Sequence, residues 1–169
     1  MKAAAALPIA GFYLLYFATV GVTLPFLPAY LASLGLHATQ VGTLLAIGPA
    51  VTLIAPPLWG HLADRLGRPD LVLQTLAVGA CLGFAPLLVA TDFGWIAATL
   101  CLYAFFNASI TPVIDGLALH RVHNHGGHFA RLRLWGSVGF IAAATAFGRF
   151  VHAVDRRAVL VPLALMAGE

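Results

Sequence analysis

The chain has 169 residues, of which 61% are hydrophobic and 9% are charged, and its formal net charge is +3 at pH 7. Soluble domains carry about a quarter charged residues, so this composition excludes an ordinary water-soluble fold. The basic residues lie in short clusters between apolar segments rather than on one polar face, which argues against a nucleic-acid-binding protein. We therefore interpret the chain as an integral membrane protein whose solvent is lipid.

Apolar segments recur along the chain at about the 20 residues that a membrane crossing requires. Between Lys2 and Asp64 there is no Asp, Glu, Lys or Arg, so this stretch alone holds two crossings. The predicted helical spans are residues 8–33, 39–62, 71–91, 93–119 and 132–151, with a partial sixth over residues 158–169. At about 1.5 Å per residue, the last segment is too short for a hydrocarbon core of about 30 Å. The sequence therefore predicts an all-α membrane domain of five full spans and a truncated sixth, and suggests a fragment or a truncated product.

Positive charge in the connections sets the expected orientation, because short cytoplasmic loops are enriched in Lys and Arg. With the N-terminus in the cytoplasm, most basic residues fall on the cytoplasmic side: Lys2, Arg65, Arg68, Arg121, Arg131 and Arg133. The others would face outwards: Arg149, Arg156 and Arg157. The sequence thus predicts a multi-pass protein of the cell membrane with a cytoplasmic N-terminus.

Glycine, proline and cysteine positions predict local features within these spans. Gly79 and Gly83, four residues apart on the third span, indicate close helix packing. Several prolines predict bends in their helices: Pro49, Pro56, Pro57 and Pro112. Cys81 and Cys101 fall within spans, where we expect free thiols that behave as small apolar groups.

The connection between the second and third spans carries the most specific motif of the chain. Glycines bracket an acidic and a basic residue, and the motif consists of Gly60, Asp64, Arg65, Gly67 and Arg68. We expect Gly60 to permit close backbone approach, Gly67 to end the turn with a positive φ, and Asp64 to accept hydrogen bonds from a neighbouring helix end or arginine. Such a loop would latch two helical bundles together. The alternative is an ordinary cytoplasmic turn whose arginines only set the topology.

These motif residues resemble the signature Gly-x-x-x-Asp-Arg-x-Gly-Arg of the major facilitator transporters. The sequence departs from the family pattern at Pro69, where the family usually has Lys or Arg. Residues 15–17 and 24–31 are similar to the first helix of the lactose permease and 3-phenylpropionate transporter branch, and residues 131–140 to the start of its fifth helix. The resemblance implies the N-terminal six-helix bundle of the major facilitator fold in a bacterial-type inner membrane. It also implies a C-terminal transporter half as a partner outside this sequence.

Asp115 is an acidic residue near the end of the fourth span, and no other charged residue lies between it and Asp92. An ionisable group at such a position is costly unless it is paired. Arg133, just inside the fifth span, is the expected partner, because consecutive spans are antiparallel neighbours. Alternatively, both side chains extend to the membrane surface and only fix the helix ends.

The resemblance gives this pair a role in solute binding, since an acid and an arginine at these positions hold the sugar in the lactose permease. Phe140 stands where that permease stacks its sugar on a tryptophan, and the loss of the indole N–H argues against a galactoside. The resemblance therefore implies that Asp115 and Arg133 bind the polar group of a solute and that Phe140 supplies apolar contact.

Histidines cluster after the fourth span and offer a metal site as an alternative: His120, His123, His125 and His128. A closed zinc site needs ligands that regular structure holds in place, whereas Gly126 and Gly127 break this connection. We expect a solvated loop, with no metal and no cofactor.

The predicted function is secondary active transport, by proton-linked symport of a small organic solute such as an aromatic acid, a sugar or a nucleoside. The partners would be the solute, H⁺ and the lipid bilayer, without nucleic acid. In the lactose permease branch the proton-coupling residues lie in the second half, so we do not expect this chain alone to complete a transport cycle. A membrane enzyme is disfavoured, because no second carboxylate lies near Asp115. A non-transporting helix-bundle scaffold or assembly factor with the same fold is the remaining alternative.

Overall fold

The computed structural model describes residues 3–153, and all regular structure in this range is helical. The α-helices follow each other as α1 (Ala3–Ser33), α2 (Ala38–Thr52), α3 (Ala55–Leu66), α4 (Pro69–Phe84), α5 (Phe93–His125) and α6 (Phe129–Ala153). A 3₁₀ turn over Ala85–Leu88 follows α4. The partial sixth span predicted over residues 158–169 lies outside the described residues, as do Lys2, Arg156 and Arg157.

Apolar segments of the described range are long enough to cross a membrane in four places: Leu7–Ser33, Ala38–Leu66, Pro69–Leu88 and Phe93–Asn124. These segments overlap the first four predicted spans. Helix α6 covers the fifth predicted span and is not among them, so the number of full spans stays a prediction. Large apolar side chains of the helices stand exposed, Leu82 on α4 by 67% and Trp95 on α5 by 68%, as expected for helices that lipid solvates.

The second predicted span is interrupted in the structure. Helix α2 ends before a turn at residues 53–54, and α3 starts directly afterwards. Pro56 and Pro57 lie in the first turn of α3, where a missing N–H removes no intrahelical hydrogen bond. These two prolines therefore begin a new helix instead of bending a continuous one, whereas Pro49 and Pro112 lie inside α2 and α5.

The fourth helix of the prediction is longer than expected, because α5 continues to His125. The polar segment that begins at His120 was predicted to be a loop, but its first residues are helical, and Asn124 Nδ2 lies 3.0 Å from His120 Nε2. The chain turns at Gly126 and Gly127, whose φ angles of +71° and +124° are disfavoured for other residues. A helix can extend beyond the apolar segment that crosses the membrane, and its last turns are then made of polar residues. The polar composition after residue 119 therefore does not mark the end of α5.

The described residues divide into two compact units, residues 3–30 with 118–153 and residues 31–117. The fully buried side chains of the first unit include Tyr13 and Val22. Those of the second unit are apolar with one exception, Ser109, and include Leu44, Leu76, Leu87, Ile96 and Ile114. Each unit therefore has a core of its own.

Glycines bring α4 and α5 close together in the second unit. A Cβ placed on Gly83 would lie 3.0 Å from the backbone nitrogen of Tyr103, and one on Gly79 would overlap the ring of Phe106. The ring of Phe84 packs edge-on against Tyr103, with centroids 5.0 Å apart. Gly79 lies against Phe106 and Gly83 against Tyr103, so contacts that move up α4 move down α5, and the two helices are antiparallel. The predicted close packing at Gly79 and Gly83 is confirmed.

Candidate functional site

Helices α1 and α6 of the first unit meet with their backbones in contact. A Cβ placed on Gly21 would lie 2.5 Å from the carbonyl oxygen of Phe140, and one on Gly139 would overlap the carbonyl oxygen of Leu14. Real Cβ atoms do not make such contacts, so these two positions require glycine unless the helices separate. The two glycines therefore set the distance between α1 and α6.

The contacts between α1 and α6 advance in the same direction along both helices. Nearer the start, the ring of Phe17 lies 2.8 Å from where a Cβ on Gly136 would be. Further along, Phe26 packs edge-on against Phe147, with ring centroids 4.6 Å apart. Helices α1 and α6 are thus parallel, as the first and fifth crossings of one chain would be.

Two of the predicted solute-binding residues share one face of α6. Arg133 and Phe140 are seven residues apart, which is about two helical turns, and Phe147 follows seven residues later. Arg133 is exposed, Phe140 is half-buried, and Phe147 is buried with its ring against α1. The structure thus brings the predicted cation and the predicted aromatic contact into line along α6.

The third predicted residue, Asp115, is half-buried in the part of α5 that belongs to the second unit. Asn107 and Thr111 precede it by eight and four residues, and both are also half-buried. Residues four apart are neighbours on a helix surface, so these three side chains form a polar stripe on α5. The stripe can offer a solute an amide, a hydroxyl and a carboxylate.

Asp115 and Arg133 belong to different compact units. Their pairing therefore stays a prediction. Neither side chain is fully buried in the core of its own unit, and the solute-binding role of each also stays a prediction.

The predicted loop motif is mostly helical. Residues 60–66 belong to α3, and only Gly67 and Arg68 connect it to α4. Gly67 has φ +60° and donates its N–H to the carbonyl of Ala63 at 3.0 Å, which closes the helix and confirms the predicted positive φ. The expected close backbone approach at Gly60 is wrong within the described residues, since a Cβ there would meet no atom within 4 Å.

The charged side chains of this motif are exposed: Asp64, Arg65 and Arg68. Arg65 in the last turn of α3 and Asp70 in the first turn of α4 both interact favourably with the helix dipoles. Asp64 precedes Arg65 directly, and a negative charge near a helix C-terminus is unfavourable by about 0.3–1 kcal/mol. Helix-end electrostatics therefore account for Arg65 and Asp70 but not for Asp64.

The described residues contain no group of three or more His, Cys, Asp or Glu side chains arranged to hold a metal ion. His120, His123 and His128 are exposed at the end of α5 and in the following turn. Cys81 and Cys101 are free thiols, as the sequence predicts.

Comparison with known protein families decides the broader assignment. The profile of the MFS_1 like family matches residues 7–168. The chain belongs to this family. The predicted resemblance to the major facilitator transporters is thereby confirmed.

Relatives of this MFS_1 like chain carry the names of transport and resistance proteins. A maltose permease of Geobacillus stearothermophilus is 37% identical over 81% of the chain and 35% of its own length. A probable 3-phenylpropionic acid transporter of Escherichia coli is 29% identical over 90% of the chain and 40% of its own length. The multidrug resistance protein MdtG of Yersinia enterocolitica is 32% identical over 79% of the chain and 39% of its own length. The chain thus spans well under half of each of these relatives.

Several residues that position the site in this MFS_1 like chain were missed by the sequence analysis. Asn107 and Thr111 are uncharged and do not stand out in the sequence; their four-residue spacing from each other and from Asp115 is the signal that would find the polar stripe. The α1–α6 contact was missed at Gly21, although the pair Gly136 and Gly139 at helical spacing indicates it.

Proposed function

We propose that this chain is the solute-handling N-terminal half of a major facilitator secondary transporter, with five full spans in residues 3–153. The observation that carries the proposal is Asp115, a half-buried carboxylate on the polar stripe of α5, in a chain of a family that includes named transporters. Ionisable groups within membrane segments mark solute or ion pathways, because their burial in lipid is costly.

The proposed solute is a small organic molecule with hydroxyl or carboxyl groups, such as a sugar, an aromatic acid or a nucleoside. Asp115 would accept hydrogen bonds from hydroxyl groups, and Arg133 would donate to a carboxylate or a hydroxyl. Phe140 would contact the apolar face of a ring. Asn107 and Thr111 add neutral hydrogen-bonding groups that suit a polyol or a nucleoside.

Parallel packing of α1 and α6 supports five crossings, because α6 then follows an even number of reversals from α1. We infer that the N-terminus is cytoplasmic in a bacterial-type inner membrane, since that orientation puts Arg65, Arg68 and Arg131 on the cytoplasmic side. Asp64 would then lie at the cytoplasmic surface and form the latch to the C-terminal half. This role would account for a carboxylate that does not stabilise the end of its own helix.

Uptake measurements test the proposal in cells that express this chain together with whatever its natural reading frame encodes on either side. Radiolabelled maltose and 3-phenylpropionate are the first probes, taken from the names of the relatives. We expect Asp115→Asn and Arg133→Gln each to lower uptake at least about tenfold, because hydrogen bonds to charged groups contribute about 1.5–3 kcal/mol. Proton coupling predicts in addition that an uncoupler abolishes accumulation against the gradient.

Matched controls are available just before α5 and on α6. Asp92→Asn keeps an acceptor for the N–H of Gly94 at the start of α5, and Arg149→Gln removes an exposed cation from α6. Both should retain uptake. A scaffold or assembly factor predicts the opposite pattern, with no uptake in the wild type and undiminished membrane assembly in Asp115→Asn and Arg133→Gln.

A further inference from the structure

An aromatic cluster in the second unit surrounds a polar atom. The indole of Trp59 on α3 lies against Phe105 and Phe106 on α5, with ring centroids 5.8 and 5.6 Å away. Phe106 is held from the α4 side as well, because its ring lies against Gly79. The two phenylalanine rings therefore hold the Trp59 side chain inside the contact between α3 and α5.

Two buried polar atoms in this region have no hydrogen-bond partner among the described residues: Trp59 Nε1 and Ser109 Oγ. Ser109 is 0% exposed. It follows Phe105 by four residues and Phe106 by three, so it lies one turn along the same face of α5 that contacts Trp59. An unsatisfied buried polar group costs about 1–3 kcal/mol, so two on the same side of α5 favour a shared partner.

Six threonine hydroxyls in the helices are satisfied by the preceding turn, whereas the Ser109 hydroxyl is not. The threonine side chains that donate to a backbone carbonyl three or four residues earlier are Thr19, Thr23, Thr43, Thr52, Thr75 and Thr145. This bond is the common solution for a hydroxyl in an apolar helix. The Ser109 hydroxyl does not adopt it.

Pro112 adds a third polar group to the same place. Proline has no N–H, so the carbonyl of Ala108, four residues earlier, loses its intrahelical donor. In membrane helices such carbonyls are satisfied by side chains, neighbouring helices or ordered water. The Ser109 hydroxyl and the Ala108 carbonyl thus lie in the turn of α5 that follows Phe105 and Phe106, the two rings that contact Trp59.

We propose that Trp59, Ser109 and the carbonyl of Ala108 form a binding site for one buried water molecule. The water would accept from the Trp59 indole, donate to the Ala108 carbonyl and share a hydrogen bond with the Ser109 hydroxyl. Three bonds match what buried waters make, and one water joins polar atoms up to about 6 Å apart. Asp115 follows Pro112 by three residues, so the water would fix the direction of the α5 segment that carries the carboxylate. The water site itself does not depend on the transport proposal.

Nuclear magnetic resonance of the ¹⁵N-labelled indoles tests the site in lipid nanodiscs. The chain has three tryptophans, and Trp59→Phe, Trp95→Phe and Trp135→Phe assign their N–H resonances. We expect a cross-peak from a long-lived water to the Trp59 N–H, and its loss in Ser109→Ala. A Trp59 N–H without a water cross-peak overturns the proposal.

Stability measurements test the site by the sign of the change. If water binds there, Ser109→Ala lowers the thermal midpoint by about 2–4 °C. The double variant with Trp59→Phe then lowers the midpoint by less than the two single variants do together. If the site is dry, Ser109→Ala removes an unsatisfied hydroxyl and raises the midpoint, which contradicts the proposal. Ser137→Ala, the same change at an exposed position of α6, is the matched control and should leave the midpoint unchanged.

Discussion

In the first unit α1 and α6 meet backbone to backbone at Gly21 and Gly139, whereas in the second unit an aromatic ring, that of Phe106, lies against Gly79. A backbone carbonyl cannot move away from a new Cβ without shifting a whole helix. A ring can rotate or be replaced by a smaller side chain. Glycines that are equally close to a neighbour therefore differ in how much stability a substitution removes, because a side chain can move and a backbone carbonyl cannot.

The two units also differ in charge. The described part of the first unit contains no Asp or Glu, and its basic residues are Arg121, Arg131, Arg133 and Arg149. The acidic residues of the second unit are Asp64, Asp70, Asp92 and Asp115, and its basic residues are Arg65 and Arg68. The glycine contacts use none of these side chains. The glycine contacts and the charged side chains can therefore be perturbed separately.

The largest effect is expected at Gly139, where alanine would force α1 and α6 apart. We expect Gly139→Ala to lower the free energy of unfolding by about 3 kcal/mol or more, at the upper end of overpacking effects, because the Leu14 carbonyl is in the way. Reversible unfolding in mixed micelles measures the change. Gly11→Ala on α1 is the control: its Cβ meets nothing within 4 Å, so it should stabilise by about 0.5–1 kcal/mol. Equal stability of the two variants would disprove the close backbone contact.

A smaller and reversible effect is expected at Gly79. Gly79→Ala should destabilise by about 1–2 kcal/mol, because the new methyl group meets the ring of Phe106. Phe106→Leu removes that ring. The double variant should therefore lose about 1 kcal/mol less free energy of unfolding than the two single variants lose together. Gly42→Ala, with no atom within 4 Å of its Cβ, serves as the control. Strictly additive changes would show that the ring is not the obstacle.

Hydropathy predicted the helical membrane fold well and the helix faces poorly, for one physical reason. Core-facing and lipid-facing side chains are both apolar, so the sequence pattern does not distinguish the buried Leu76 from the exposed Leu82. Contacts that depend on shape, such as Gly21 with Phe140, leave no mark in composition. The pair Gly79 and Gly83 was predicted only because its spacing is a known packing pattern.

Charge made part of the candidate site predictable. Asp115 and Arg133 stand out because ionisable residues are rare in apolar segments. Trp59 and Ser109 are uncharged, and only their unsatisfied polar atoms in the folded chain reveal them. The break between α2 and α3 was misread as a bend, since two adjacent prolines are equally compatible with a kink and with a helix start.

The smallest effects compare one positive-φ glycine from each unit. Gly67 ends α3 with φ +60° and a hydrogen bond to Ala63, so Gly67→Ala should cost about 1 kcal/mol. Gly126 has a similar φ of +71°, but the flexible Gly127 follows it and can absorb a rearrangement, so Gly126→Ala should cost about half as much. Asparagine tolerates this conformation better than alanine, and Gly67→Asn should recover part of the loss in the same unfolding measurement. A greater loss at Gly126 than at Gly67 would mean that the turn between α5 and α6, and not the end of α3, is the more constrained connection.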